Sequence, residues 1–236
     1  MKENLLHTAQ EILALPPGKV LRWRTPDESA ALRAVAEWAR HFLCTPHPEL
    51  GRGGPVCPYV ETSIKKDLFW LTLAQTASAN VALVRRTVLH HREVFLERAP
   101  REGSDAFFKT ILILFPDVTP DDAPQVIDGL QRSLKLAFVK HDLMIGEFHT
   151  RNNSPGLWNE DFRPLRSPIP MLAIRFMVVS DLPFLVRTLD HTRAYLERFG
   201  DEGRKRLRTY IEQHGDRLPL AHCAALLAEL TRGNGR

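Results

Sequence analysis

Hydrophobic and polar residues alternate with helical or strand-like spacing along most of the 236-residue chain. Apolar residues recur at helical spacing near the N-terminus and predict two amphipathic helices, Glu3 to Leu15 and one that begins after TPDES. Short apolar segments predict four strands, at Asp67–Gln75, Phe107–Asp117, Met144–His149 and Pro170–Val179. Helical spacing returns between and after them, at Asn80–Ala99, Pro120–Leu143 and Asp181–Phe199, and two more helical segments close the chain.

This order of elements predicts the fold class. Strands that alternate with helices are typical of α/β and α+β proteins. A long irregular connection joins the last two strands, so we expect an α+β fold, α/β-like in its alternation, with a sheet of about four strands. No linker divides the chain, so we expect a single domain over residues 1–236. Its parts are N-terminal helices over 1–45, an α/β core over 46–200 and C-terminal helices over 201–236.

Composition narrows the class of protein. The chain is 44% hydrophobic and 25% charged, which is typical of a globular protein. Its longest apolar runs are too short to span a bilayer, so we expect no membrane association. Three scattered Cys without a CxxC motif, and an N-terminus without signal-peptide features, favour a cytoplasmic location. The net charge of +4 is mild, so a nucleic-acid partner is not expected.

The common catalytic and metal-binding motifs are absent from the sequence. It contains no P-loop, no HExxH, no GxSxG and no Cys/His set with zinc spacing. Two irregular segments remain as candidates for chemistry. We call the first, Cys44 to Tyr59, the Pro–Cys loop. We call the second, His149 to Pro170, the Arg-rich connection.

The Pro–Cys loop contains Cys57 between Val56 and Pro58. A cationic neighbour would lower the pKa of this thiol and make it a metal ligand or a nucleophile. A small buried hydrophobic residue that holds a Pro-rich turn explains the same Cys. The residues alone leave both interpretations open.

The Arg-rich connection begins with His149, directly after a predicted strand. Its guanidinium groups suit carboxylates or phosphates, and four Pro residues restrict its backbone. One His with several Arg fits an anionic cofactor such as haem, whose iron takes one nitrogen and whose propionates take Arg. A carboxylate or phosphate substrate fits equally well, and so does a structural role in which His149 is buried and the Arg residues pair with local acids. The basic residues are Arg151, Arg163, Arg166 and, in the next strand, Arg175.

Several motifs in these segments carry a resemblance to known families. From about Pro46 to Leu185 the chain resembles a bacterial and fungal family of unknown function. The motifs that carry this resemblance are HPELGRGGPVCPY, MIGEFH, PGLWN, FRPLRSPIPMLAIRFMV and DLPFL. The chain is also distantly similar to YqcI/YcgG-type proteins, some of which are haem-dependent enzymes that hydroxylate nitrogen. This similarity lies in the order of four motifs: PVCP, GEFHTRNNSP, FRPLRSPIPMLAI and DLPFLVR. The chain departs from that pattern in its Arg spacing, in Thr150 after the His, and in lacking Asn-Pro-His after the last strand.

The distant resemblance implies a haem-dependent oxygenase-type oxidoreductase that acts on a small nitrogen-containing metabolite, with an external reductant as a possible partner. His149 would be the proximal iron ligand, with Cys57 in reserve. The residues expected around the cofactor are Arg163, Arg166 and Arg151 for its propionates or a substrate carboxylate, and Trp158 and Phe162 as pocket walls.

Two other functions remain open at this point. The first is a non-catalytic protein that binds haem or another small anion. The second is a nucleic-acid or protein adaptor that uses the basic run Arg204, Lys205, Arg206 and Arg208.

Overall fold

The computed structural model describes residues 5–16, 18–74 and 80–231. It divides into two compact units: Met1–Leu134 with Ile145–Phe176, and Lys135–Met144 with Met177–Arg236. The predicted boundaries at Glu3 and Gln75, and the end of the last predicted helical segment at 232–236, lie outside the described residues.

The described residues form five strands and eight α-helices. The strands are β1 (His7–Thr8), β2 (Phe69–Leu73), β3 (Thr110–Leu114), β4 (Leu143–Phe148) and β5 (Met171–Phe176). The helices are α1 (Ala9–Ala14), α2 (Pro26–Trp38), α3 (Val60–Lys65), α4 (Val81–Glu97), α5 (Gly129–Val139), α6 (Leu182–Leu185), α7 (Leu189–His214) and α8 (Leu220–Thr231). None of these helices is long and apolar enough to cross a membrane.

The strands form one mixed sheet in the order β1-β2-β3-β5-β4. β2 and β3 are parallel, with Phe69 opposite Thr110, and α4 makes the crossover between them. β5 is antiparallel to β3, and β1 is antiparallel to β2. The Arg-rich connection links β4 to β5, which are neighbours at one edge of the sheet.

The expected α+β class is confirmed, and each of the four predicted strands is present. The predicted first helix is partly wrong, because His7 and Thr8 form β1 before α1 begins. Two paired residues are too short to show a strand period. Thr8 also caps α1 by accepting the backbone N–H of Glu11 at 3.1 Å. The division into N-terminal helices, core and C-terminal helices stays a prediction.

The core of the first unit lies between the sheet and the N-terminal helices. Leu71, Leu73, Leu112 and Leu114 pack in one buried cluster with residues of α1 and α2, among them Leu32. The second unit has its own cluster, formed with Tyr195, Leu196 and Leu207 of α7. The helix predicted over Asp181–Phe199 is two helices, α6 and α7, and α7 is broken at Gly200, whose φ is 51°.

Helix α2 leads directly into the Pro–Cys loop. Thr25 and Glu28 form a capping box at its start, with Thr25 Oγ1 accepting the Glu28 N–H at 3.2 Å. After Trp38 the chain continues as a π-helical turn, Ala39–Leu43, that ends at Cys44. The apolar face of α2 therefore fixes where the loop leaves the core.

Candidate functional site

The two segments that the sequence singles out lie against each other in the first unit. Asn159 Nδ2 donates a hydrogen bond to the carbonyl of Glu49 at 2.8 Å. The rings of His47 and Phe162 lie 4.7 Å apart between centroids, with 34° between their planes. The Pro–Cys loop and the Arg-rich connection, about a hundred residues apart in sequence, therefore form one continuous surface.

A close backbone approach holds the same two segments together. Gly51 has φ of 76°, in the left-handed region that glycine adopts without strain. A Cβ atom at Gly51 would lie 2.6 Å from the carbonyl oxygen of Trp158. Glycine is thus required there both by conformation and by space.

His149 is fully buried at the start of the Arg-rich connection. Its Nε2 lies 2.9 Å from Asp128 Oδ1, and its backbone N–H donates to the Leu165 carbonyl at 3.3 Å. A carboxylate only accepts, so Nε2 carries a proton, and in the neutral ring Nδ1 is then an acceptor. Nδ1 is buried and has no hydrogen-bond partner among the described residues. The ring therefore anchors the connection and retains one unused nitrogen.

The four guanidinium groups of this region bind different partners. Arg151 pairs with Asp121 at the surface, and Arg163 donates to the carbonyls of its own turn. Arg175 donates to the Phe176 carbonyl at 2.9 Å. Their partners differ, so the four groups do not converge on one acceptor.

Arg166 differs from the other three because it faces a recess. Its Nε donates to the Asn152 carbonyl and its Nη2 to Asn153 Oδ1, both at 3.2 Å. Both acceptors are neutral, and Arg166 has no carboxylate partner among the described residues. The recess, of about 390 Å³, is lined by Ala34, Trp38, Thr150, Arg166, Ser167 and Pro168. It is a shallow surface depression with a cationic side and an aromatic side.

Trp38 forms the aromatic side of this recess. Its ring stacks on Phe42 at 5.8 Å between centroids and meets Phe148 edge-on at the same distance. These contacts hold the indole in one orientation on α2. Sequence reasoning missed Trp38, although its place on the apolar face of a predicted helix was visible.

The two aromatic residues expected as pocket walls lie elsewhere. Trp158 is 67% exposed and Phe162 is 4% exposed. Phe162 packs on His47 and, at 6.2 Å, on Phe42. Neither lines the recess next to Arg166.

Cys57, a residue of the Pro–Cys loop, is partly buried. Like Cys44, it packs against the core of the first unit. Its backbone N–H donates to the Leu43 carbonyl at 2.8 Å. Within residues 5–16, 18–74 and 80–231, no three His, Cys, Asp or Glu side chains are grouped to hold a metal ion.

Lys109 has an amine with a lowered pKa, and its role is structural. It is fully buried, and Nζ donates to the carbonyls of Phe95 and Arg98 at 2.8 and 2.6 Å. Burial, with the positive charges of Arg101 and Arg98, lowers the pKa of Lys109 to about 8. The amine satisfies carbonyls at the C-terminal end of α4, so we assign it no chemistry.

The comparisons with known families identify the chain. Residues 32–210 match the family model described as a domain of unknown function, DUF6875. The match covers well over half of the chain. The chain belongs to the DUF6875 family. No curated protein and no solved structure matches it.

The DUF6875 match contains the whole candidate site, from Trp38 through both segments to β5. It leaves out β1 and α1 at one end and α8 at the other. The expected family of unknown function is thus confirmed, and the similarity to YqcI/YcgG-type proteins stays a prediction.

A haem at His149 fits the observed surroundings in one respect. The unused Nδ1, with Asp128 on the opposite nitrogen, has the arrangement common among metal-bound histidines. However, the ring has no exposed surface, and Arg163 is occupied by its own turn. His149 does not line the recess beside Arg166. A haem would need this part of the connection to open.

Proposed function

We propose that this DUF6875 protein binds a small organic anion in the recess between Trp38 and Arg166. The observation that carries the proposal is the Arg166 guanidinium, which faces a recess while its partners among the described residues are neutral. Arg151 in the same connection pairs with a carboxylate instead. A guanidinium with free N–H groups beside an aromatic ring recognises a carboxylate or phosphate attached to an apolar body.

The recess is held in shape before any ligand arrives. Arg166 holds the turn at Asn152 through its hydrogen bond to the Asn152 carbonyl, and the Ser167 hydroxyl donates to the Ile169 carbonyl at 2.8 Å. Pro168 restricts the backbone at the rim of the recess. A site that needs little ordering on binding loses less conformational entropy.

The shallow form of the recess sets the expected affinity. A ligand the size of benzoate or phenyl phosphate, about 10 non-hydrogen atoms at about 0.3 kcal/mol per atom, binds with about 3 kcal/mol, a Kd of about 6 mM. Loss of one charge-assisted contact from an exposed guanidinium would weaken binding about tenfold. These values call for a titration method that tolerates weak binding.

Ligand-observed NMR with benzoate and phenyl phosphate tests the proposal. We expect both anions to bind the wild type, and the neutral isostere benzamide to bind at least about tenfold more weakly. Arg166→Met should lose the preference for the anions. Arg151→Met is the matched control, since that exposed Arg lies in the same connection without lining the recess, and it should behave as the wild type. Equal binding by wild type and Arg166→Met, or no binding up to about 10 mM, contradicts the proposal.

Haem-dependent oxidation of a nitrogen-containing metabolite is a second candidate, supported by the buried unused Nδ1 of His149. A bound haem would supply iron chemistry with dioxygen or peroxide. In that function Asp128 holds the Nε2 proton and leaves Nδ1 as the electron-pair donor. Haem titration followed in the Soret region tests it. A wild-type protein that takes up no haem eliminates this candidate and leaves the anion site untouched.

A further inference from the structure

We propose that Cys44 and Cys57 form a reversible intramolecular disulfide, which makes the Pro–Cys loop a site of covalent modification. Both thiols are free and partly buried in the structure. The inference is independent of the proposed ligand, because neither Cys lines the recess beside Arg166.

Backbone hydrogen bonds place the two Cys next to each other. The Leu43 carbonyl, bonded to the nitrogen of Cys44, accepts the Cys57 N–H at 2.8 Å. The Cα of Cys44 lies about 2.8 Å from that oxygen and the Cα of Cys57 about 1.5 Å from its nitrogen, so the two Cα atoms are at most about 7 Å apart. Disulfides join Cα atoms about 4.4–6.8 Å apart. A second bond, Val56 N–H to the Thr45 carbonyl at 3.0 Å, fixes the register.

The side chains of Cys44 and Cys57 also have the same apolar surroundings. Both thiols pack against the same apolar cluster of the first unit. Burial raises the pKa of Cys44 to about 11, and the negative charges of Glu61 and Cys57 add to the rise.

The reaction needs an oxidant, for which we specify a low-molecular-weight disulfide such as oxidised glutathione. The Cys57 thiolate attacks one sulfur of the oxidant, forms a mixed disulfide and releases one glutathione thiolate. Cys44 then loses its proton to solvent and attacks the Cys57 sulfur, which releases the second glutathione. Two protein thiols lose two electrons, and one oxidant disulfide becomes two thiols. The raised pKa of Cys44 makes the second step slow and faster at high pH.

The bond would restrain the segment that packs on the Arg-rich connection. It closes the chain from Cys44 to Cys57, a loop that includes His47 and Gly51. A disulfide across a loop of this length should raise the Tm by roughly 6–12 °C. The redox state of the loop would thus set how firmly the loop is held against the Arg-rich connection.

Peptide mapping of the wild-type protein tests the bond directly. After incubation with oxidised glutathione, acid quenching and alkylation, trypsin cleaves after Arg40, Arg52 and Lys65, which separates Cys44 (peptide 41–52) from Cys57 (peptide 53–65). We expect these peptides joined, two hydrogen atoms lighter than their sum and separated by reductant. Cys223 should be recovered alkylated as the internal control.

Three outcomes would overturn the proposal: both Cys recovered alkylated, both recovered only as glutathione adducts, or a linkage to Cys223. The Tm supplies a second readout. Oxidation should raise it in wild type and Cys223→Ala but not in Cys44→Ala or Cys57→Ala. A Tm rise that persists in Cys57→Ala counts against the bond.

Discussion

The Pro–Cys loop and the Arg-rich connection are both rich in Pro and polar residues, but they differ in the partners that their side chains bind. Backbone hydrogen bonds hold both segments, among them Cys57 N–H to the Leu43 carbonyl in the loop and Gly156 N–H to the Phe162 carbonyl in the connection. In the connection His149 and Arg151 also bind carboxylates outside it, whereas Arg52 in the loop donates to carbonyls of the loop itself. Several Arg residues in a rigid segment therefore do not by themselves indicate a ligand, because Arg side chains also hold such a segment in shape.

This contrast changes what each segment offers for function. In the connection most donors are occupied by the protein itself, and Arg166 is the guanidinium that both faces a recess and has only neutral partners among the described residues. In the loop the two thiols are free and partly buried. We therefore place anion binding on the connection and redox chemistry on the loop.

The largest expected effect comes from removing the aromatic contact between the two segments. Phe162→Ala should lower the free energy of unfolding by about 4 kcal/mol, since it leaves a cavity beside His47 and Phe42. Urea denaturation measures the change. Trp158→Ala is the control, because its side chain is 67% exposed, and it should change stability by less than about 0.5 kcal/mol. Similar losses in the two variants would mean that Phe162 does not join the segments.

Sequence periodicity predicted the order of strands and helices because a buried sheet and amphipathic helices impose their own spacing. It could not predict that Glu49 and Asn159 touch, since contacts between irregular segments leave no period. Asp128 was missed for a related reason. The sequence does not show which of its 28 Asp and Glu residues binds His149 in the folded protein. His149, Cys57 and Arg166 were singled out by composition, but composition did not separate the exposed Arg166 from the occupied Arg163.

A smaller loss is expected where the loop backbone meets the connection. Gly51→Ala should cost about 3 kcal/mol, because it adds left-handed strain and a Cβ at 2.6 Å from the Trp158 carbonyl oxygen. Gly54→Ala introduces similar strain at φ 85° but has only Arg52 Nη1 nearby, at 3.7 Å, and should cost about 1 kcal/mol. The difference between the two unfolding free energies isolates the close approach. Equal costs would show that conformation alone requires Gly51.

The partly buried thiol of Cys44 predicts that the free energy of unfolding depends on pH. The pKa of Cys44 rises from 9.0 to about 11 on folding. Below pH 9 both states keep the proton, and between these values the unfolded chain ionises first, so stability falls as pH rises. Under reducing conditions the wild type should lose about 2 kcal/mol more than Cys44→Ser between pH 8 and about pH 11. Cys223→Ser should follow the wild type, and parallel curves for all three proteins would contradict the shift.

The smallest expected effect concerns the hydrogen bonds of Asn159. Its amide donates to the Glu49 carbonyl at 2.8 Å and its Oδ1 accepts the Asp161 N–H at 3.0 Å, so Asn159→Ala should cost about 1 kcal/mol. Arg151→Met removes a surface ion pair of the same connection and should cost nearly nothing. Hydrogen exchange at the amides flanking Glu49 measures the local consequence. If side-chain bonds hold the connection to the loop, protection there decreases in Asn159→Ala and not in Arg151→Met, whereas equal protection would assign the contact to packing alone.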